Sequence, residues 1–257
     1  MSAFETWIAF QTIVIKEMRR YLRIWPQTLL PPAITMTLYF VIFGALIGSR
    51  IGEMGGFSYM QFVVPGLIMM AVVTNSYSNT VSSFFGTKYN HSLEELLVSP
   101  TPNWVILAGY VVGSVSRGLL VAVIVTCLSL FFADLHVQHL GMTVLVVLMT
   151  AVLFSMFGFI NAVYANSFDD ISIVPTFVLT PLIYLGGVFY SLDLLPEFWA
   201  NVSKLNPLVY VVNGFRYGVL GVSDVNVSFS LGMICLFTGV TLVFCLRLLN
   251  SGSRLRD

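Results

Sequence analysis

Apolar positions along this chain come in long unbroken runs, not in the alternation of a half-buried strand. A bilayer core about 30 Å thick takes about 20 apolar residues in helical form, and six runs reach that length. They extend over about Gln27 to Ser49, Tyr59 to Phe85, Val105 to Phe132, Met142 to Ala165, Ile171 to Tyr190 and Phe229 to Leu249. The pattern predicts an all-α integral membrane protein of six spans, with residues 1–257 forming a single transmembrane domain.

Three segments between and before the spans have a different pattern. In residues 1–26, Phe4, Trp7, Ile8, Gln11, Val14, Ile15, Met18, Leu22 and Trp25 recur at three- and four-residue intervals. Glu5, Thr12, Lys16, Arg19, Arg20 and Arg23 fall largely on the other face. This predicts an amphipathic helix lying at the membrane surface, its basic residues available to anionic lipid or to a protein. In residues 88–102, Ser92 and Glu95 have capping-box spacing, and Pro100 and Pro102 stop the helix after two turns. Leu93, Leu96 and Leu97 share one face with Glu94 at its flank, which predicts an apolar face fitted either to a groove in a partner or to the lipid interface. In residues 191–221, Pro196 starts an apolar helix and Asn206-Pro207 breaks it before a second one, Leu208 to Leu220. At about 16 and 20 Å neither crosses the core, so the segment reads as a re-entrant hairpin on one side of the membrane.

Charge sharpens this picture. Only 9% of the 257 residues are charged and 57% are hydrophobic, whereas a soluble domain carries about 25% charged residues. Twelve basic and twelve acidic residues cancel, which argues against nucleic acid as a partner. With the N-terminus inside, Lys16, Arg19, Arg20, Arg23, Lys88, Arg247, Arg254 and Arg256 collect on one side and Arg50, Lys204 and Arg216 on the other. Positively charged loops stay in the cytoplasm, so both termini are expected there. Cys127, Cys235 and Cys245 lie in apolar runs and form no disulfide or metal spacing. The sequence contains no P-loop, no Gly-x-Ser-x-Gly elbow and no His-Glu-x-x-His pair, so neither phosphate binding of the P-loop kind nor those hydrolytic chemistries is expected.

Polar groups inside spans are costly and mark either helix pairing or function. Asn75 and Asn79 lie one turn apart in span two. They either hold helices together or line a translocation path with Thr176, Thr180 and Tyr184 of span five, where Pro175 and Pro181 invite kinks. Arg117 stands about 18 Å along span three and should face protein or water. Arg216, in the second half-helix, calls for a carboxylate, a carbonyl or a lipid headgroup. Asp169 and Asp170 read as caps of span five.

Several local sequences then become familiar. They are Leu93-Glu-Glu-Leu-Leu-Val-Ser-Pro100 followed by Gly109, Pro175-Thr-Phe-Val-Leu-Thr-Pro181, Leu185-Gly-Gly-Val-Phe-Tyr-Ser191, and Leu205-Asn-Pro-Leu-Val-Tyr210 leading to Gly214-Phe-Arg216. Together with Ile24-Trp-Pro-Gln-Thr-Leu-Leu-Pro-Pro32 and Ser58-Tyr-Met-Gln-Phe-Val-Val-Pro-Gly-Leu67, they make essentially the whole chain resemble the permease subunit of ABC-2 type (type V fold) exporters, in particular the YadH-like inner-membrane permeases.

The resemblance implies a homodimer in the bacterial inner membrane, each copy docking a separately encoded ABC ATPase that binds ATP and Mg; the chain itself then holds no cofactor and catalyses nothing. Docking is assigned by the resemblance to Ser92, Leu93, Glu94, Glu95, Leu96, Leu97 and Pro100, helped by Lys16 and Arg19. The path is assigned to Asn75, Asn79, Thr176, Thr180 and Tyr184, and an outer gate to Pro196, Asn206, Pro207 and Arg216. The implied activity is outward movement of an amphiphilic, lipid-type or glycan-type cargo. A self-contained channel or secondary transporter is the competing reading; it would place ionisable residues or broken spans at the midplane of related halves, and no internal repeat is visible.

Overall fold

The computed structural model describes residues 2–252, without the side chains of Ala45 and Ser49. Arg254, Arg256 and Asp257, two of which entered the orientation argument, lie outside the described residues. The described chain is helical throughout apart from turns and one two-stranded hairpin. Helix α1 is Ala3–Arg23, α2 Trp25–Gly48, α3 Tyr59–Tyr89, α4 Ser92–Val98, α5 Asn103–Ser129 and α6 Leu140–Tyr164. The chain continues with α7 Asp170–Tyr184, α8 Glu197–Ser203, α9 Pro207–Leu220 and α10 Val227–Ser251. Between α2 and α3, strands β1 Glu53–Met54 and β2 Phe57–Ser58 pair antiparallel, Glu53 opposite Ser58.

Helix α3 is the centre of the bundle. Its most apolar stretch is 83% buried, against 12% for α2 and 22% for α10, which therefore lie at the periphery. The helices around α3 approach closely because small residues face it. A methyl group at Gly158 of α6 would collide with the Tyr77 carbonyl oxygen, so only glycine permits this crossing. Phe84 of α3 fills the space between Phe159 of α6, at 4.4 Å between ring centroids, and Tyr110 of α5, at 5.2 Å.

Five helices among the described residues are long and apolar enough to cross a membrane: α2, α3, α5, α6 and α10. Span five differs from its sequence expectation. The apolar run to Tyr190 predicts about 20 helical residues, but α7 stops at Tyr184 after 15, about 22 Å of rise. Pro175 and Pro181 remove backbone donors, and Pro175–Leu179 winds as π-helix. Gly186-Gly187 then ends the helix, Gly187 taking φ +73°. The segment that follows is still buried at Gly186, Gly187 and Val188, so hydropathy alone could not distinguish it from helix.

Two capping expectations are corrected. The Ser92–Glu95 capping box does not form. Only Asn90 and His91 separate α3 from α4, His91 takes the N-cap in left-handed conformation at φ 57°, and the Ser92 hydroxyl donates to the Thr87 carbonyl at 3.2 Å. The box forms instead at Ser2 and Glu5, which opens α1. At the start of α7, Asp169 makes no side-chain cap; the Asp170 carboxylate accepts the backbone N–H groups of Asn166 and Ser167.

Candidate functional site

The sequence-derived residues fall into three places. The first is the end of the bundle where α1 and α4 sit. Helix α1 lies against α5 through Ile13, Glu17 and Tyr21, a stripe that the apolar periodicity passes over. A methyl at Gly113 of α5 would overlap the Glu17 side chain, so glycine allows the approach. Phe4, Trp7, Ile8, Ile15 and Leu22, the stripe that was legible, remain exposed, the pattern of an interfacial amphipathic helix.

Burying Glu17 completely demands partners, and it has them. The Ser83 hydroxyl donates to Oε1 at 2.7 Å, Arg20 Nε lies 3.5 Å from Oε2 and Lys16 Nζ 3.9 Å from Oε1. Sequence reasoning missed this acid; its signal was the i, i+4, i+8 spacing of Ile13, Glu17 and Tyr21 opposite glycines four apart, Gly109 and Gly113. Lys16, half-exposed, also donates to the Tyr110 hydroxyl at 3.3 Å. That hydroxyl lies 2.9 Å from Thr87 Oγ1, and Thr87 accepts Ser92 of α4. One hydrogen-bonded chain therefore joins α1, α5, α3 and α4. Arg19 is exposed.

The face of α4 is the main correction here. Leu93 is 1% exposed in the core, and Leu96 and Leu97 pack partly buried against it. The leucines that suggested a groove-filling surface hold α4 to its own bundle. Its outward face carries Ser92, Glu94, Glu95 and Val98, with Pro100 exposed beyond it. A helix two turns long cannot serve two apolar grooves with one stripe.

The second place is mid-bundle. Asn75 and Asn79 do not meet Thr176, Thr180 and Tyr184. Asn79 is fully buried; its Oδ1 accepts Arg20 at 2.8 Å and lies 3.5 Å from Arg117, and its Nδ2 donates to Ser114 at 2.9 Å. Arg117 donates to Asn75 Oδ1 at 3.0 Å and to the Thr28 carbonyl at 3.2 Å. Both asparagines therefore serve a network that also neutralises the exposed-to-lipid problem of Arg117 with protein acceptors. Thr176, Thr180 and Tyr184, spaced by four residues, line one exposed face of α7. At its end the Tyr184 ring stacks on Phe189 at 5.8 Å, which stacks on Phe43 of α2 at 4.8 Å.

The third place is the hairpin α8–α9. Twelve of the fourteen residues of α9 are buried, whereas α8 exposes Phe198 and Trp199. Pro196 precedes α8 as its N-cap, and Pro207 is the first residue of α9. Asn206, 3% exposed, does two jobs: its Oδ1 accepts the Leu208 N–H at 3.0 Å and its Nδ2 donates to the Leu182 carbonyl at 2.6 Å. The two ends of the hairpin meet, because Asp224 Oδ2 accepts the Leu192 N–H at 2.9 Å. The same carboxylate stands 3.7 Å from Arg216 Nη1. Arg216, without exposed surface, donates to the Gly187 carbonyl at 2.7 Å and lies 3.8 Å over the Phe62 ring. Carboxylate and carbonyl are both among the partners expected for it. Outside the hairpin, the loop before α6 closes on α9: His139 N–H donates to the Gly218 carbonyl at 2.8 Å and its ring stacks on Tyr217.

A bundle of five long apolar helices and one short broken one, with an amphipathic helix and a two-turn helix at one end and a helical hairpin whose second arm is buried before the last helix, has the form of a multi-pass membrane protein. The ABC-2 type transporter family matches residues 8–220, and the chain belongs to that family. It is 58% identical over 251 residues to the inner membrane transport permease YadH of Escherichia coli K12, with 98% of each chain covered. It is also similar, at 24% identity over 214 residues and 83% of each chain, to nodulation protein J of Rhizobium leguminosarum bv. viciae.

Proposed function

We propose that the protein is the membrane-spanning half of an ATP-driven exporter in the bacterial inner membrane, working as two copies with a separate ATPase bound to each, both termini cytoplasmic. The observation that carries this reading is the hydrogen-bonded chain from Lys16 through Tyr110 and Thr87 to Ser92. It makes α1 and α4 one rigid lever at one end of the bundle, and a permease without its own energy source needs such a lever. The ATPase contacts the outward face of α4, Glu94, Glu95 and Val98, and the exposed Arg19 of α1. The leucines transmit the push inward.

The cargo passes along the exposed face of α7, Thr176, Thr180 and Tyr184, against the same face of the second copy, and α8–α9 closes the outer side. That face mixes hydroxyls with Phe177 and Tyr184, which suits an amphiphilic, lipid-type or glycan-type cargo. Asn75 and Asn79 brace the lever from within. The test is co-purification from cells expressing this chain with candidate ATPases. Glu94→Lys with Glu95→Lys should abolish ATPase recovery at unchanged permease yield. Normal recovery with both reversals would remove α4 as the docking face.

A further inference from the structure

A second feature lies on the other side of α7 and takes no part in the proposed path. Between α3, α6, α7, the start of α9 and α10 is a cavity of about 420 Å³. That is within the range of about 300–1,000 Å³ of small-molecule sites. Its wall is apolar, with Phe154 and Ile160 of α6, Val178 of α7 and Phe237 of α10, and none of the described residues lining it is an acid or a base. Three polar side chains interrupt the wall, Tyr77, Asn161 and, at the rim, the exposed Tyr164. The Tyr77 hydroxyl is buried, its residue 2% exposed, and lies beside Asn161 without a hydrogen bond of good geometry. Asn161 spends its Nδ2 on the Ile171 carbonyl at 3.2 Å. A buried hydroxyl without a full partner is unfavourable, and a ligand atom can complete it.

The cavity reaches the flank of the protomer, since Val178 is 49% exposed and Val178 and Tyr164 both line it. In the proposed orientation that flank lies at bilayer depth. A charged molecule has nothing to pair with inside, and water finds few polar partners. We propose that this cavity binds an uncharged, mainly apolar chain carrying one hydrogen-bonding group, as a long-chain alcohol does, taken up sideways from the bilayer. The chain fills the space among Phe154, Ile160 and Phe237, and its polar end meets Tyr77 and Asn161. Thr176 and Thr180 point away from Val174 and Val178 around α7, so occupancy is independent of the path assigned to the opposite face.

The test uses the full chain in lipid nanodiscs, with Trp7, Trp25, Trp104 and Trp199 replaced by Phe and Phe157→Trp as the reporter in the wall. Terminally brominated dodecanol should quench the reporter saturably, and about three- to ten-fold more tightly than the matching bromododecane, the gain of one neutral hydrogen bond. Tyr77→Phe, which removes only the hydroxyl, should erase that difference while leaving quenching by the bromoalkane in place. Val178→Phe, which fills the mouth, should weaken both probes. Linear, unsaturable quenching by the alcohol, or a preference that survives Tyr77→Phe, overturns the proposal. Melting curves of the two variants identify any loss that is only unfolding.

Discussion

Asp224→Asn tests the clamp that closes the hairpin. The substitution keeps the shape and an acceptor oxygen for the Leu192 N–H, so its main effect is electrostatic. Arg216 then remains fully buried with one carbonyl, Gly187 at 2.7 Å, and the face of Phe62. The lost attraction is that of opposite charges 3.7 Å apart, about 4 kcal/mol at an effective dielectric near 20. Breaking a buried pair by removing one partner costs about 3–5 kcal/mol, because the other charge stays behind. For a chain of this size each kcal/mol moves the melting temperature by about 2–4 °C, so a fall of roughly 6–20 °C is expected in detergent or nanodiscs. The double variant Asp224→Asn with Arg216→Met removes both charges and keeps the volume, and should recover most of the loss. A shift below about 2 °C for the single variant, or a double variant no better than the single, would refute the claim that charge pairing holds the hairpin.

Three further outcomes are expected. In a background where Cys127, Cys235 and Cys245 are replaced, a cysteine at Asn206 should resist a bulky impermeant thiol reagent while cysteines at Asp193 and Ser223 react from outside; equal reaction at all three would make the hairpin a surface loop. Leu93→Ala should cost about 2–5 kcal/mol in thermal unfolding, because it empties a filled core position, whereas Glu94→Ala should stay within about 0.5 kcal/mol; similar losses would return the leucines to an outward face. Gly113→Val should force α1 off α5 and expose Glu17, read as new protease cleavage within residues 3–23 with the spans intact, and an uncut α1 would show that the approach is not set by that glycine.

The spans were legible because lipid imposes a simple requirement: about 20 apolar residues without charge. The boundaries read from hydropathy agree with α2, α3, α5, α6 and α10 to within a few residues. The end of α7 was not legible by that rule, since Leu185 to Tyr190 is as apolar as the helix before it. Its local chemistry, two prolines and a Gly-Gly pair, held the answer. The break at Asn206-Pro207 was readable for the same reason, as a property of backbone donors and not of hydropathy.

Periodicity shows that a helix has an apolar face, but it cannot say what covers that face. On α1 the apolar stripe stays outward and the buried stripe contains an acid; on α4 the leucines turn inward and the acids outward. The decision in each case depends on residues far away in the chain, Gly113 and Ser83 for Glu17 and the end of α3 for Leu93. Asn75 and Asn79 read from sequence as helix-pairing groups, with a path as the alternative; what sequence could not give is that Arg20 and Arg117 converge on them from two other helices. Sequence by itself determined the apolar, membrane-type character of this chain, the approximate limits of five of its six expected spans and the residues that break helices, because those follow from local composition and the backbone. Tertiary structure alone decided which face of each helix is spent on the bundle and which is left exposed, because hydrogen bonds and close contacts between distant segments set that choice.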